Sequence, residues 1–267
     1  MNLKQTLKVA VVSALALTGY NAQAADEARQ ITVGVMSGPE AQVTEVAALL
    51  AKEKFNLDVK LVEFTEYTGP NQALSTGELD ANAFQHKPYM DDEVKHRGYK
   101  LAIIGNTFVF PIAGYSKKIK NVSELQEGAI VAVPNSPSNL GRSLILLEKQ
   151  GVIKLKDSSN LLATPLDIVE NPKNIEIQEV DSSLLPRTLD DVDLAIINNT
   201  YAGQVGLSPE KDGIFVESKE SPYVNLVVSR EDNKDDPAIK DFVKAFQSEE
   251  VYQEALKYFE GGVVKGW

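Results

Sequence analysis

Short strand-like apolar runs alternate with longer stretches of helical periodicity along most of this chain, and that alternation limits the fold more than any other feature. ITVGVM (31–36) reads as a buried strand and runs into SGPEAQVTEVAALLAKEKF, where Val43, Val46, Ala47, Leu50 and Ala51 recur at helical spacing. LDVKLVEF (57–64) alternates apolar and polar residues as a strand does. DANAFQ (80–85) and KLAIIGNTFVFPIAGYS (100–116) follow, separated by helical stretches around 69–77 and 87–97. A second series runs through AIVAVP (129–134), a helix over 138–150, IEIQEV (175–180), a helix near 184–190 and VDLAII (192–197). YVNLVVS (223–229) is a further strand, and the tail from Pro237 is an amphipathic helix with Ile239, Phe242, Val243, Phe246 and Val251 among its apolar positions. Such alternation predicts an α/β fold of mainly parallel sheets covered by helices. Two series joined by strand-like passages near 108–116 and 221–229 predict two α/β lobes, the chain crossing twice. Lobe 1 is expected over 30–112 and 225–267, and lobe 2 over 113–224. Ligands of open α/β sheets lie beyond the carboxyl ends of strands and between lobes, so the residues after each strand matter most.

Three such places carry chemistry. In VAVPNSPSNLGRSLILLEKQG (131–151) a buried strand ends at Pro134 and a helix begins near Ser138 or Asn139, either of which is a suitable cap. Arg142 then falls in the first turn, where a cation opposes the helix dipole. Free amides and a guanidinium there form a receptor for a carboxylate or phosphate, the alternative being a surface arginine paired with an acid. In DANAFQHKPYMDDEV (80–94), Phe84, His86 and Tyr89 form one aromatic wall at a strand end, or Phe84 is core and His86 only hydrogen-bonded. Asn198 ends an apolar strand and Asn225 interrupts one. A buried amide left unpaired costs about 1–3 kcal/mol, so each must bond either a neighbouring strand or a ligand.

Composition removes several function classes. The 267 residues contain no cysteine and two histidines, His86 and His96, which excludes disulfides, thiolate metal sites and cysteine nucleophiles and makes a His-rich metal cage improbable. NLGRSL is not a nucleophile elbow, and GVMSG lacks the spacing of a phosphate-cradling loop. The formal net charge of −11 argues against nucleic acid as a partner. No cofactor, metal or catalytic group is implied.

The first 24 residues have the parts of a secretory signal: Lys4 and Lys8, the apolar run Val9 to Leu17, and Ala22-Gln23-Ala24 as a small-x-small cleavage site. Their removal takes two lysines and no acids, leaving a net charge of −13. LTGY (17–20) has the form of a lipoprotein processing site with Tyr20 in place of the cysteine that would carry the lipid. No later run of roughly 18 apolar residues is long enough to span a bilayer.

DANAFQHKPYMD, GNTFVFPIAGYSKKIK, VAVPNSPSNLGRSLILLEKQG, ENPKN, INNTYAGQ, ESPYVNLVVSREDN and the terminal GGVVKGW together closely resemble the MetQ/NlpA family across residues 30–267. That resemblance implies a type 2 periplasmic-binding-protein fold with two lobes and two crossing strands. It also implies a methionine-binding component of an ABC importer, partnered by a membrane permease and a cytoplasmic ATPase. Carried over residue by residue, it implies a pocket of Tyr67, Phe84, His86, Tyr89, Asn139, Arg142, Asn198 and Asn225, with Tyr67 added by the resemblance only and Asn199 given no contact. Family members are usually lipoproteins; with Tyr20 in place of the cysteine, the expectation here is a soluble periplasmic monomer cut after Ala24. Other readings are the same fold binding D-methionine, a methionine derivative or a methionine-containing dipeptide, an enzyme using His86, and a surface or antigenic interaction protein.

Overall fold

The computed structural model describes residues 29–267; the signal segment over 1–24, its cleavage site and Tyr20 lie outside the described residues. The first lobe opens with β1 (Arg29–Met36), α1 (Pro39–Phe55), β2 (Leu57–Phe64), α2 (Thr68–Thr76), β3 (Ala81–His86), α3 (Lys87–Arg97) and β4 (Leu101–Val109). The chain then crosses and builds β5 (Ala113–Tyr115), β6 (Ile130–Pro134), α4 (Pro137–Lys149), β7 (Lys154–Leu155), β8 (Ile168–Glu170), β9 (Glu176–Val180), β10 (Leu194–Ile197), α5 (Asn199–Gln204), α6 (Pro209–Asp212) and β11 (Phe215–Val216). It returns through β12 (Val224–Arg230), α7 (Pro237–Phe246), α8 (Glu249–Tyr258) and β13 (Val264–Lys265).

Each lobe is built on one main sheet, ordered β13-β4-β12-β3-β1-β2 and β11-β5-β10-β6-β9, and the second lobe adds the antiparallel pair β7-β8. Both are mixed rather than mainly parallel. β1, β2 and β3 run parallel, as do β6, β9 and β10, while β12, β4, β13, β5 and β11 pair antiparallel to their neighbours. The antiparallel strands are those beside the crossings, where the chain leaves one sheet and later comes back in the opposite sense. Alternation on β12 shows how the first sheet is covered on both faces: Val227 packs under α1, α7 and α8, and Leu226 and Val228 pack under α2 and α3. A third cluster joins the lobes, with Met36, Phe84 and Tyr89 from the first against Ile197, Tyr201 and Ala202 from the second.

Three boundaries differ from the sequence reading. The stretch 100–116 is two strands, because the chain turns between sheets at Phe110–Ile112. The tail is two helices, since Ser248 breaks the run and caps α8 by accepting a hydrogen bond from the Val251 amide. The helix expected near 184–190 is a 3-10 turn over Leu185–Asp190.

Across the lobes, Tyr201 donates to the Thr65 carbonyl (3.3 Å), Gln204 to the Ser37 carbonyl (2.9 Å) and Asn199 to the Gly262 carbonyl (2.7 Å). Thr200 donates to Glu40, a carboxyl only 4 % exposed at the start of α1. Burial pushes the Glu40 pKa up from 4.5 to about 8, opposed by the Thr200 hydrogen bond. Folding therefore takes up a proton between those values, and stability falls as pH rises from about 4.5 through 8. Thermal unfolding of Glu40→Gln should lack this component, which is on the order of 3–5 kcal/mol by pH 8; an unchanged pH dependence would contradict it. Close packing of α4 gives a second test. A Cβ on Gly141 would strike the Leu161 carbonyl and lie 2.9 Å from the Ala163 nitrogen, both backbone. Gly141→Ala is expected to cost about 1–3 kcal/mol, read as a Tm lower by several degrees.

Candidate functional site

β3 delivers three of the relevant side chains in one step. All six of its residues are buried, and it ends at His86, whose extended backbone and Nδ1 cap α3 by accepting the Tyr89 amide hydrogen bond (3.2 Å). Pro88 fits the first turn, where no amide is required. Capping fixes the tautomer: Nδ1 is an acceptor, so Nε2 carries the hydrogen and donates to Asn139 Oδ1 at 3.2 Å. Burial, assisted by the Arg142 charge, lowers the His86 pKa to about 3, so the ring is neutral. Both ring nitrogens are thus engaged.

Phe84, Tyr89 and Tyr67 form a three-ring cluster with centroids 5.9–6.0 Å apart, and the Tyr201 ring of the second lobe lies tilted against Tyr67 with centroids 4.9 Å apart. The Tyr89 hydroxyl donates to the Tyr67 carbonyl (3.1 Å), which ties the loop after β2 to α3. The aromatic wall and the core reading of Phe84 both hold, since the ring is 4 % exposed and lines the cleft.

The second lobe supplies the polar side. Ser136, not Ser138 or Asn139, is the residue before α4, and Pro137 takes the first helical position; the Ser136 side chain makes no capping bond. Asn139 instead donates to Ser136 Oγ (2.9 Å) and accepts from Asn198 Nδ2 (2.9 Å) and His86. Its oxygen is thus saturated, and Asn198 is held with its own buried Oδ1 lacking a partner among the described residues. Asn225 donates to the Phe84 carbonyl (2.9 Å) from the start of β12.

Arg142 falls in the second turn of α4 rather than the first, because the helix begins at Pro137. It is neither a surface residue nor unpaired. Its Nε donates to Glu217 Oε1 (2.9 Å), its Nη2 to Glu217 Oε2 and to the Phe110 carbonyl (3.0 Å), and its guanidinium stacks 4.3 Å from the Tyr223 ring. Arg142 and Glu217 side chains are 3 % and 8 % exposed, so the pair is buried. Nη1 is left without a hydrogen-bond partner among the described residues.

All eight residues singled out from the sequence, Tyr67, Phe84, His86, Tyr89, Asn139, Arg142, Asn198 and Asn225, line one interlobe cleft. Gln85, Phe110, Asn199 and Thr200 line it too and were not anticipated as contacts. Asn199 turns its amide to Gly262. Glu217 was missed altogether: it precedes β12 in a charged loop and carries no local signal. Among the described residues no group of acids and histidines is arranged to hold a metal ion, and no helix is long and apolar enough to cross a membrane.

Comparison with known proteins places this geometry. A probable D-methionine-binding lipoprotein MetQ of Pasteurella multocida is 75 % identical over 265 residues, 96 % of each chain. The crystal structure of the methionine-binding protein MetQ superposes with a TM-score of 0.88 at 64 % identity, covering 89 % of this chain and 98 % of that one. A nutrient-binding protein from Burkholderia cenocepacia, solved bound to methionine, gives a TM-score of 0.87 at 50 % identity, covering 89 % of this chain and all of that one. The two-lobed α/β architecture is therefore that of a type 2 periplasmic binding protein. The family profile described as NlpA lipoprotein matches residues 31–267, and the chain belongs to the NlpA lipoprotein family.

Proposed function

We propose that this chain binds methionine between its lobes and delivers it to the permease of an ABC importer driven by a cytoplasmic ATPase. The observation that carries this reading is the meeting, in one cleft, of a guanidinium edge, an unpartnered amide oxygen and a wall of aromatic rings. Arg142 Nη1 serves the α-carboxylate. Asn198 Oδ1 accepts from the α-ammonium, and the rings of Tyr67, Phe84 and Tyr89 surround the thioether, which makes favourable sulfur–ring contacts. His86 and Asn139 act by holding Asn198 in place, and Asn225 anchors the strand end that carries Phe84. Lobe 1 comprises 30–112 with 225–267 and lobe 2 comprises 113–224, and ligand favours their closed arrangement by touching both. The protein is a carrier without catalytic activity and works as a monomer. In support, the His86 nitrogens are both engaged, and the Ser143 hydroxyl donates within its own helix to the Asn139 carbonyl (2.8 Å).

Both hands of methionine are within this reading, since a relative is named for D-methionine and a structural neighbour was solved bound to methionine. Calorimetry with L- and D-methionine should give a clear heat with the native chain. Arg142→Ala should weaken binding at least about 30-fold, as expected when one partner of a buried charged contact is removed; unchanged affinity would overturn the carboxylate assignment. We further propose export and cleavage after Ala24, which leaves an unlipidated protein because Tyr20 offers no thiol. Intact-mass analysis of protein purified from the envelope should show a mature chain beginning at Ala25 with no added lipid.

A further inference from the structure

We propose that Glu217 makes the cleft selective for zwitterions: by compensating Arg142 it leaves the site without net charge, so that a methionine-shaped acid lacking the α-ammonium is rejected. This rests on methionine as the ligand and adds the residue that sets which charge state is accepted.

Arg142 touches the cleft on one side and Glu217 on the other. The carboxylate takes the Nε and Nη2 edge of the guanidinium, the Phe110 carbonyl takes a further Nη2 hydrogen, and the ring of Tyr223 covers one face. Glu217 itself does not line the cleft but a separate cavity behind Arg142. Its position is set by the crossing: its amide donates to the Ile112 carbonyl (2.9 Å) and its Oε2 accepts from the Ile112 amide (3.5 Å). The cation at the heart of the site is therefore already matched before any ligand approaches.

The other ionisable side chains that line the cleft, Tyr67, His86 and Tyr89, add no charge at neutral pH. His86 is neutral because burial and the Arg142 charge disfavour its cation. Burial pushes Glu40, which lies behind Thr200, toward its protonated form, and likewise keeps the hydroxyls of Tyr67 and Tyr89 un-ionised. A lone carboxylate at Nη1 would share one guanidinium with Glu217 and leave an uncompensated negative charge in a buried cleft, which is costly. A zwitterion brings its own cation, and Asn198 Oδ1 is the unpartnered acceptor waiting for it. Charge balance, not fit alone, then separates amino acid from carboxylic acid.

The test compares L-methionine with 2-hydroxy-4-(methylthio)butanoate, a monoanion of the same skeleton with a hydroxyl in place of the ammonium, by calorimetry on the full chain. The native protein is expected to bind the hydroxy acid at least about 100-fold more weakly. Glu217→Gln keeps the shape and an acceptor for Nε but removes the charge, and should shrink that ratio at least about 10-fold, chiefly by tightening the hydroxy acid. Glu217→Asp keeps the charge and should restore the discrimination. An unchanged ratio in Glu217→Gln, with both affinities lowered together, would overturn the proposal and leave Glu217 as an orienter of Arg142. If circular dichroism shows that Glu217→Gln does not fold, the native chain decides, since equal affinity for the two compounds overturns the proposal. A native chain that binds neither compound would instead overturn methionine as the ligand.

Discussion

The contact on which the rest of this structure depends is the buried ion pair of Arg142 and Glu217. It joins three parts that are distant in sequence: α4 of the second lobe, the outgoing crossing at Phe110–Ile112 and the returning crossing at Glu217. Removing either partner would strand a charge in a nearly dry environment, a far larger penalty than the pair contributes in net stability. The pair is thus better understood as a device for position than as a source of stability. It sets the depth of the guanidinium and the mutual placement of the two crossings, and the cleft is arranged around that edge.

The two lobes contribute unequally to the cleft. The first contributes rings on β3 and α3, backed by a buried amide lattice in which Asn71, Asn82 and Gln85 bond one another at 2.6–3.0 Å. The second contributes the guanidinium and the Asn139–Asn198 pair. His86 is the hinge of this division: its Nδ1 ends a strand and starts a helix, and its Nε2 reaches the other lobe. A single neutral ring therefore couples secondary structure to the geometry of the site.

Much of this was legible in the chain because its signals are local. A strand that breaks into polar residues, as at Phe84–Tyr89 and Ile197–Asn198, marks a site at a sheet's carboxyl end, and those places were found. Pairings made at long range were not. Arg142 and Glu217 are 75 residues apart and Thr200 and Glu40 are 160 apart, so neither acid differs locally from solvated neighbours. Glu40 reads as an ordinary acidic residue in the first turn of a helix, and only burial gives it another character. Strand direction failed for a similar reason: periodicity reports which residues are buried, not which way the neighbouring strand runs. The cap of α4 was misplaced by two or three residues because Pro137 already begins the helix.

The position of β12 between β3 and β4 also bears on how the molecule is made. Residues 113–216 contain every strand of the second sheet, so that lobe can be completed before the last fifty residues exist. The first sheet cannot, because two strands present early, β3 and β4, are partnered by one that is synthesised late. The half begun first is therefore finished last, and until β12 arrives it carries open edges of the kind that invite pairing with other chains. Synthesis of this chain passes through a half-made sheet, and the return strand that frames the cleft is also the one that ends that exposure.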